Sequence, residues 1–340
     1  MPRTSPRRRS TKPRSISENL QKLLNLFEPK DKVLLTIDAD PDSIASAMAM
    51  KRLLWHKVQS VTIGHFNEIV RFDNVTMVRL LKIPIVKLQD LKPKDFTKTV
   101  LVDGQPHFHE AFSDFQYDAV IDHHPITMEV DAPFVDIRPD YGATATMMTE
   151  YLRSAKIRPS KGLATALLFA IRVDTHNFEL QAREEDVKAF RFLFSLANMN
   201  LLRKIEISDM RVRDLKYFQQ ALENKRLIKG KIFTHLDQVH SPDILVLVAD
   251  FLMRCHEIGW TVVSGIYNKN LVVIVRNDGF RKNAGTWVIK AFGRLGSAGG
   301  HRAMARAEIP LANLDGHLRK SELSNLGRFV IRQFTKSVGR

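Results

Sequence analysis

Asp38, Asp40 and Asp42 occupy alternate positions just after the apolar run KVLLTI. On an extended backbone, whose side chains repeat every two residues, that spacing turns three carboxylates to one side. Like charges held so close need a cation or a proton between them, so the chemistry on offer is divalent-metal binding. The plain alternative is an acidic loop that caps a helix. Three more polar groups follow apolar runs in the same way: Asp103 after TVLV, Asp122-His123-His124 after AVI, and Asp174-Thr175 after ALLFAIRV. One aspartate after a strand is commonly a turn or cap residue. Recurrence at successive strand and helix ends supplies instead the donors of a two-metal centre. An oxygen-rich set with one imidazole suits Mn²⁺ or Mg²⁺.

The elements that must carry these groups are short apolar strands alternating with helical stretches. Strands are expected at 32–37, 60–63, 99–102 and 119–121, and helices at 17–27 (Ser17 as cap), 44–54, 142–155 and 161–171, the last running on to Asp174. Strands that are apolar throughout and separated by helices predict a mostly parallel sheet with helices on both faces, an α/β fold. Ligands of such sheets sit at the carboxyl ends of the strands, where the aspartates lie. Residues 184–227 are helix-favouring and free of Gly and Pro, and read as a helical connector. Beyond them, strands at 231–235, 244–249, 261–267 and 270–276, a helix around 252–258 and a glycine-rich loop at 293–300 make a smaller C-terminal α/β unit. The expected organisation is thus a tail (1–17), a first domain (18–183), the connector (184–227), a second domain (228–312) and a C-terminal segment (313–340).

A chain of 340 residues favours two domains over one. It has one cysteine, Cys255, which excludes an intramolecular disulfide and a cysteine-built zinc cage and fits a reducing, cytoplasmic compartment. No apolar run approaches the roughly 18 residues a membrane helix needs. The first 17 residues carry six basic and no acidic side chains without the apolar core of a signal peptide, and read as a disordered basic arm able to touch nucleic acid. Taking those six from the net charge of +15 leaves about +9 on the rest. Such a field favours a nucleotide or nucleic-acid partner over a neutral metabolite.

The order of motifs, DADPD, VD, DHH, DT and, far downstream, GGH, resembles the DHH phosphoesterases that carry a DHH-associated C-terminal domain, from about Val33 to Ala307. The opening motif is similar to the RecJ form, D-x-D-x-D-G, rather than the H-x-N-P-D-G-D form of NrnA-type oligoribonucleases. Ser43 stands in place of its glycine, and Ile44 stands where the second form has its last aspartate. The resemblance implies that Asp42, Asp103, His123 and Asp174 are metal ligands, Asp103 bridging two ions, with Asp38 or Asp40 standing in for the absent histidine. It assigns His124 to the substrate phosphate, with Asp122 steadying the histidines from behind. In the C-terminal domain it implies substrate contacts from Gly299, Gly300 and His301 and from Arg276, with Arg281 and Lys282 nearby. Arginine forks suit a terminal phosphate.

His107, His109 and His176 flank the motifs and are read as bystanders, and Trp55, Trp260 and Trp287 as core or interface residues. The activity implied is hydrolysis of short oligonucleotides, RNA above all, and of 3′-phosphoadenosine 5′-phosphate by metal-activated water, with Mn²⁺ or Mg²⁺ as two ions. A phosphodiesterase for linear or cyclic dinucleotides is the first alternative. A nucleic-acid-binding protein without catalysis is the second.

Overall fold

The computed structural model describes residues 15–179, 182–207, 210–280, 282–314, 316–318 and 326–336, so most of the basic arm lies outside the described residues. The chain divides into two compact units, Met1–Asp209 and Met210–Arg340.

In the first unit, β1 (Lys32–Ile37), β2 (Ser60–His65), β3 (Ile85–Lys87), β4 (Lys98–Val102), β5 (Ala119–Asp122) and β6 (Phe134–Ile137) form a sheet in the order β3-β2-β1-β4-β5-β6. Every pair is parallel. Both faces are covered. Val100 and Val102 of β4 and Ala119 and Ile121 of β5 feed the large apolar cluster on one face, whereas Leu101 and Val120 pack with Phe112 and Tyr117 on the other. That two-sided burial is why these strands read as unbroken apolar runs. The strand order reverses between β1 and β4, which is where open α/β sheets hold ligands.

The helices of this unit are α1 (Ile16–Leu24), α2 (Pro41–Leu53), α3 (Phe72–Leu81), α4 (Glu110–Ser113), α5 (Thr144–Ser154), α6 (Lys161–Asp174), α7 (Glu184–Phe194) and α8 (Met199–Glu206). Helix α1 starts earlier than Ser17 because Ser15 and Glu18 form a reciprocal capping box. Helix α2 packs on α5 and α6. Its buried Ala45, Ala47 and Ala49 keep that contact close.

The 184–227 stretch is not one helix. Asn198 caps α8 and so breaks it, α9 (Leu215–Asn224) belongs to the second unit, and β7 begins at Arg226.

The second unit adds α10 (Asp243–Leu252), α11 (Ala284–Phe292) and α12 (Leu326–Lys336) around a mixed sheet. Its strands are β7 (Arg226–Ile228), β8 (Lys231–Gln238), β9 (Trp260–Tyr267), β10 (Asn270–Asn277), β11 (Ser297–Gly300) and β12 (Met304–Pro310), in the order β11-β12-β10-β9-β8-β7. Only β8 and β9 pair in parallel.

Residues 244–249, expected to be a strand, form α10: Ile244, Leu245, Val248, Ala249 and Leu252 are buried at helical spacing. A short apolar run does not declare its period, which explains the error. Residues 253–258, expected to be helical, are turns. Trp260 and Trp287 pack against Phe334 of α12. Trp55 is exposed and is not a core residue.

Candidate metal centre

The chain turns into α2 as soon as β1 ends, because Pro41 stands in the first helical turn and Asp40 caps it. Asp40 Oδ1 accepts the Ser43 N–H at 2.8 Å, and Ser43 Oγ accepts the Asp40 N–H at 3.0 Å. Ser43 thus completes a capping box that a glycine could not make, and Ile44 is buried in the core.

The three carboxylates do not share the extended face their spacing implied. Asp38 is exposed on the loop, Asp40 is half-buried at the cap, and Asp42 is fully buried in the first turn of the helix. Asp42 Oδ2 accepts the Thr144 N–H at 2.6 Å and Oδ1 the Ala145 N–H at 2.7 Å. Helix α5 receives no side-chain hydrogen bond from its own cap residue, Ala143, so Asp42 does that work from α2.

Asp103 and Asp122 lie at the ends of β4 and β5, and Asp174 ends α6. These elements converge on His123. Its Nδ1 is 3.1 Å from the Tyr141 carbonyl oxygen, which turns Nε2 toward the carboxylates. Nε2 lies 3.4 Å from Asp174 Oδ2, 3.7 Å from Asp103 Oδ1 and 3.9 Å from Asp42 Oδ2. It is buried and has no hydrogen-bond partner. A buried polar atom left unpaired beside three carboxylates is costly. A divalent cation would satisfy all four groups, so the residues fit a metal. Two overlapping groups share His123, one with Asp42 and Asp174 and one with Asp103 and His124, their ligand atoms within 4.8 Å of one another.

In the absence of a cation, protons hold the cluster together. Burial, with the charge of Asp174 added, raises Asp40 to about 6. Burial and neighbouring carboxylates raise Asp42 and Asp103 well above the usual range. Burial works against a charged His123, but the Asp174 carboxylate 3.4 Å away and the charges of Asp103 and Asp42 push it up to about 11. Mn²⁺ binding at pH 7 is therefore expected to expel the His123 Nε2 proton. Calorimetric titration in two buffers of different ionisation enthalpy should show net proton release, and none would count against His123 as a ligand.

The sign of the pH effect follows. A group raised on folding, as Asp40 is from 3.8 to about 6, stabilises fully below the lower value and loses that stability as pH rises to the higher. His123 continues the trend above pH 6.5. Metal-free protein should melt lower at pH 8 than at pH 5, and Mn²⁺ should narrow the gap.

Asp122 is fully buried. Its Oδ1 lies 2.8 Å from His124 Nδ1, and its Oδ2 accepts the Gln105 side-chain amide at 2.8 Å. Burial opposes its charge, yet these hydrogen bonds outweigh it and hold the carboxyl below its usual range. The same bond raises His124. With Nδ1 engaged, His124 has Nε2 left for a ligand. It lines a cavity of about 170 Å³ with Asp38, Asp40, Asp103, Phe108 and His109.

Several supports had no signal in the sequence. Asn67 clamps the aspartate loop, accepting the Ala39 N–H at 2.7 Å and donating to the Ala39 carbonyl at 3.1 Å. Gly142 allows the Tyr141 carbonyl to approach His123: a Cβ there would lie 2.6 Å from Thr175 Cγ2 and 2.7 Å from Asp186 Oδ2. Asp186 binds the Gly142 N–H, and Thr144 Oγ1 donates to Asp103 at 2.8 Å. His107 is bonded to Thr127 and His176 is exposed, but His109, read as a bystander, is in the cavity wall.

In the second unit, Arg276 is the last but one residue of β10 and is paired with Asp250 at 2.6 Å. Gly299 and Gly300 are not in a loop; they close the edge strand β11. A Cβ on Gly300, whose φ is +145°, would lie 2.4 Å from Ala305 Cα and from the Met304 carbonyl oxygen. The exposed His301 donates its N–H to the Met304 carbonyl at 2.7 Å, while its own carbonyl caps α11 through Gly285. Lys282 stands over the Trp287 ring. Arg281 lies outside the described residues.

Residues 32–171 match the DHH family, N-terminal domain. An uncharacterized protein of Methanocaldococcus jannaschii is 32% identical over 301 residues, which cover 88% of this chain and 62% of that protein. The chain spans less than two thirds of that relative's length. An exopolyphosphatase-related protein from Bacteroides fragilis has the same fold, with a TM-score of 0.68 at 12% identity over 94% of this chain and 95% of the other. A RecJ exonuclease bound to manganese gives a TM-score of 0.52 at 12% identity over 96% and 95%. The matched segment runs from β1 into α6 and encloses Asp42, Asp103 and the Asp122-His123-His124 triplet, so that over these residues the chain carries the N-terminal domain of the DHH family.

Proposed function

We propose that this chain is a divalent-metal-dependent phosphoesterase that hydrolyses very short oligonucleotides, RNA dinucleotides above all, and 3′-phosphoadenosine 5′-phosphate. The observation that carries the reading is His123 Nε2, buried, without a hydrogen-bond partner, and ringed by three carboxylates. His123, Asp42, Asp103 and Asp174 would hold Mn²⁺ or Mg²⁺, with Asp38 or Asp40 adding to the donors of a second ion. Bound there, such cations supply Lewis-acid chemistry: a nucleophilic water at neutral pH and relief of charge on the leaving oxygen.

The chain's own groups bind and orient. Asp122 fixes His124 through Nδ1, so that Nε2–H can donate to a phosphate oxygen. Tyr141 fixes His123 in the same manner through its carbonyl. The positive charge outside the arm draws anionic substrates toward the protein.

The test is a panel of dinucleotide, longer RNA, cyclic dinucleotide, 3′-phosphoadenosine 5′-phosphate and tripolyphosphate, each with Mn²⁺. Mononucleotides should appear fastest from the linear dinucleotide. Turnover of the tripolyphosphate alone would contradict the reading. Tight RNA binding without turnover under any divalent metal would favour a binding protein.

A further inference from the structure

His109 stands in the wall of the same cavity as Asp38, Asp40, Asp103 and His124. Its ring is immobilised twice. Nδ1 accepts the Ala111 N–H at 3.1 Å and so caps α4, and the ring face stacks on Phe66, with centroids 3.9 Å apart and planes 22° from parallel. Phe66 is itself held edge-on by Phe112. An imidazole nitrogen that accepts a hydrogen bond carries no proton, so the ring's N–H is at Nε2. Among the described residues no hydrogen bond or ion pair engages that atom.

The rest of the wall sharpens the point. It consists of carboxylates, phenyl rings and a glycine, which leaves His109 and His124 as the lining side chains able to donate a hydrogen bond. An anionic ligand drawn in by cations at the carboxylates would still need donors for its outer oxygens. Two fixed imidazoles supply them with little loss of side-chain freedom.

We propose that His109 is a substrate-binding residue, its Nε2–H donating to a phosphate oxygen alongside His124. The inference rests on the phosphoesterase reading of the site, and it adds a second phosphate donor from outside the family motifs. It also gives the stack on Phe66 a purpose, since a ring that only capped a four-residue helix would not need a fixed plane.

Two substitutions separate binding from capping. His109→Asn keeps a good cap for α4 but removes the group that lines the cavity. His109→Gln carries an amide N–H out to roughly the place of Nε2 and gives up the cap. The readouts are 5′-AMP affinity with Mn²⁺, Mn²⁺ affinity alone, melting temperature, and KM for a dinucleotide. His109→Asn should weaken 5′-AMP binding and raise KM about tenfold, as expected for one lost hydrogen bond to a charged group, with Mn²⁺ affinity and melting temperature near wild type. His109→Gln should recover most of the loss.

The opposite order, a harmless Asn and a damaging Gln, would mean a capping role and overturn the proposal. So would 5′-AMP affinity that is equal in all three proteins or absent from the wild type. If the wild type turns over no phosphoester yet binds 5′-AMP with the expected dependence on residue 109, the catalytic reading fails while the role of His109 stands.

Discussion

His123→Gln is expected to lower dinucleotide turnover on the order of 10³-fold, the scale seen when a preorganised electrostatic group is removed, and to abolish tight Mn²⁺ binding. The side chain is the meeting point of α2, β4, α6 and the Tyr141 carbonyl, and its Nε2 is within 3.9 Å of three carboxylates. A neutral amide cannot serve as the shared ligand. It also cannot replace the imidazolium that balances those carboxylates in the metal-free protein. Removing one partner of a buried ionic cluster costs about 3–5 kcal/mol. The cost should be larger at pH 5 than at pH 8, because the stability that a histidine raised from 6.5 to about 11 contributes is fully present below the lower value and is lost as pH rises toward the higher. Urea unfolding at both pH values, with and without Mn²⁺, reads the effect. Wild-type Mn²⁺ affinity in this variant would remove His123 from the ligand set.

Asp122→Ala should reduce turnover about 10²-fold through loss of orientation rather than loss of metal, a typical effect for a group behind a ligand. Asp122 holds His124 through Nδ1 and the Gln105 side-chain amide, both at 2.8 Å. Alanine frees the imidazole and leaves the buried Gln105 amide only the longer bonds to the His124 and Pro125 carbonyl oxygens, at a stability cost of about 1–3 kcal/mol. The fold should therefore survive. Mn²⁺ affinity should fall far less than in His123→Gln, and calorimetry on the two variants side by side checks that order. Equal loss of metal in both would mean that Asp122 acts through the centre as a whole.

Much of this site is legible in the sequence because the residues that carry it follow apolar strands that must be buried on both faces. Asp103 and Asp122 are found from TVLV and AVI alone, and Asp174 from the helix it ends. The geometry of the aspartate loop is not legible in that way. Alternate spacing suggests a shared face, but Pro41 and the Asp40–Ser43 capping box start a helix inside the motif, so Asp42 turns to the N–H groups of α5 instead. The same local chemistry explains Ser43.

Gln105, Asn67, Thr144 and Asp186 carry no pattern of their own. They act through partners 17 to 102 residues away that only the folded sheet brings near. His109 is hidden for a related reason, since nothing in DGQPHFH distinguishes the histidine on Thr127 from the one stacked on Phe66. In the second unit the apolar run at 244–249 satisfied either period, and its helix was decided by packing against β9 and β10.

The central claim is that Asp42, Asp103, His123 and Asp174 hold a divalent metal, and anomalous diffraction at the manganese edge from crystals soaked in Mn²⁺ tests it most directly. The account predicts an anomalous peak within bonding distance of His123 Nε2, among the three carboxylates, that is absent from His123→Gln. A fully loaded crystal with no peak at this position, or with manganese bound only elsewhere, would contradict it.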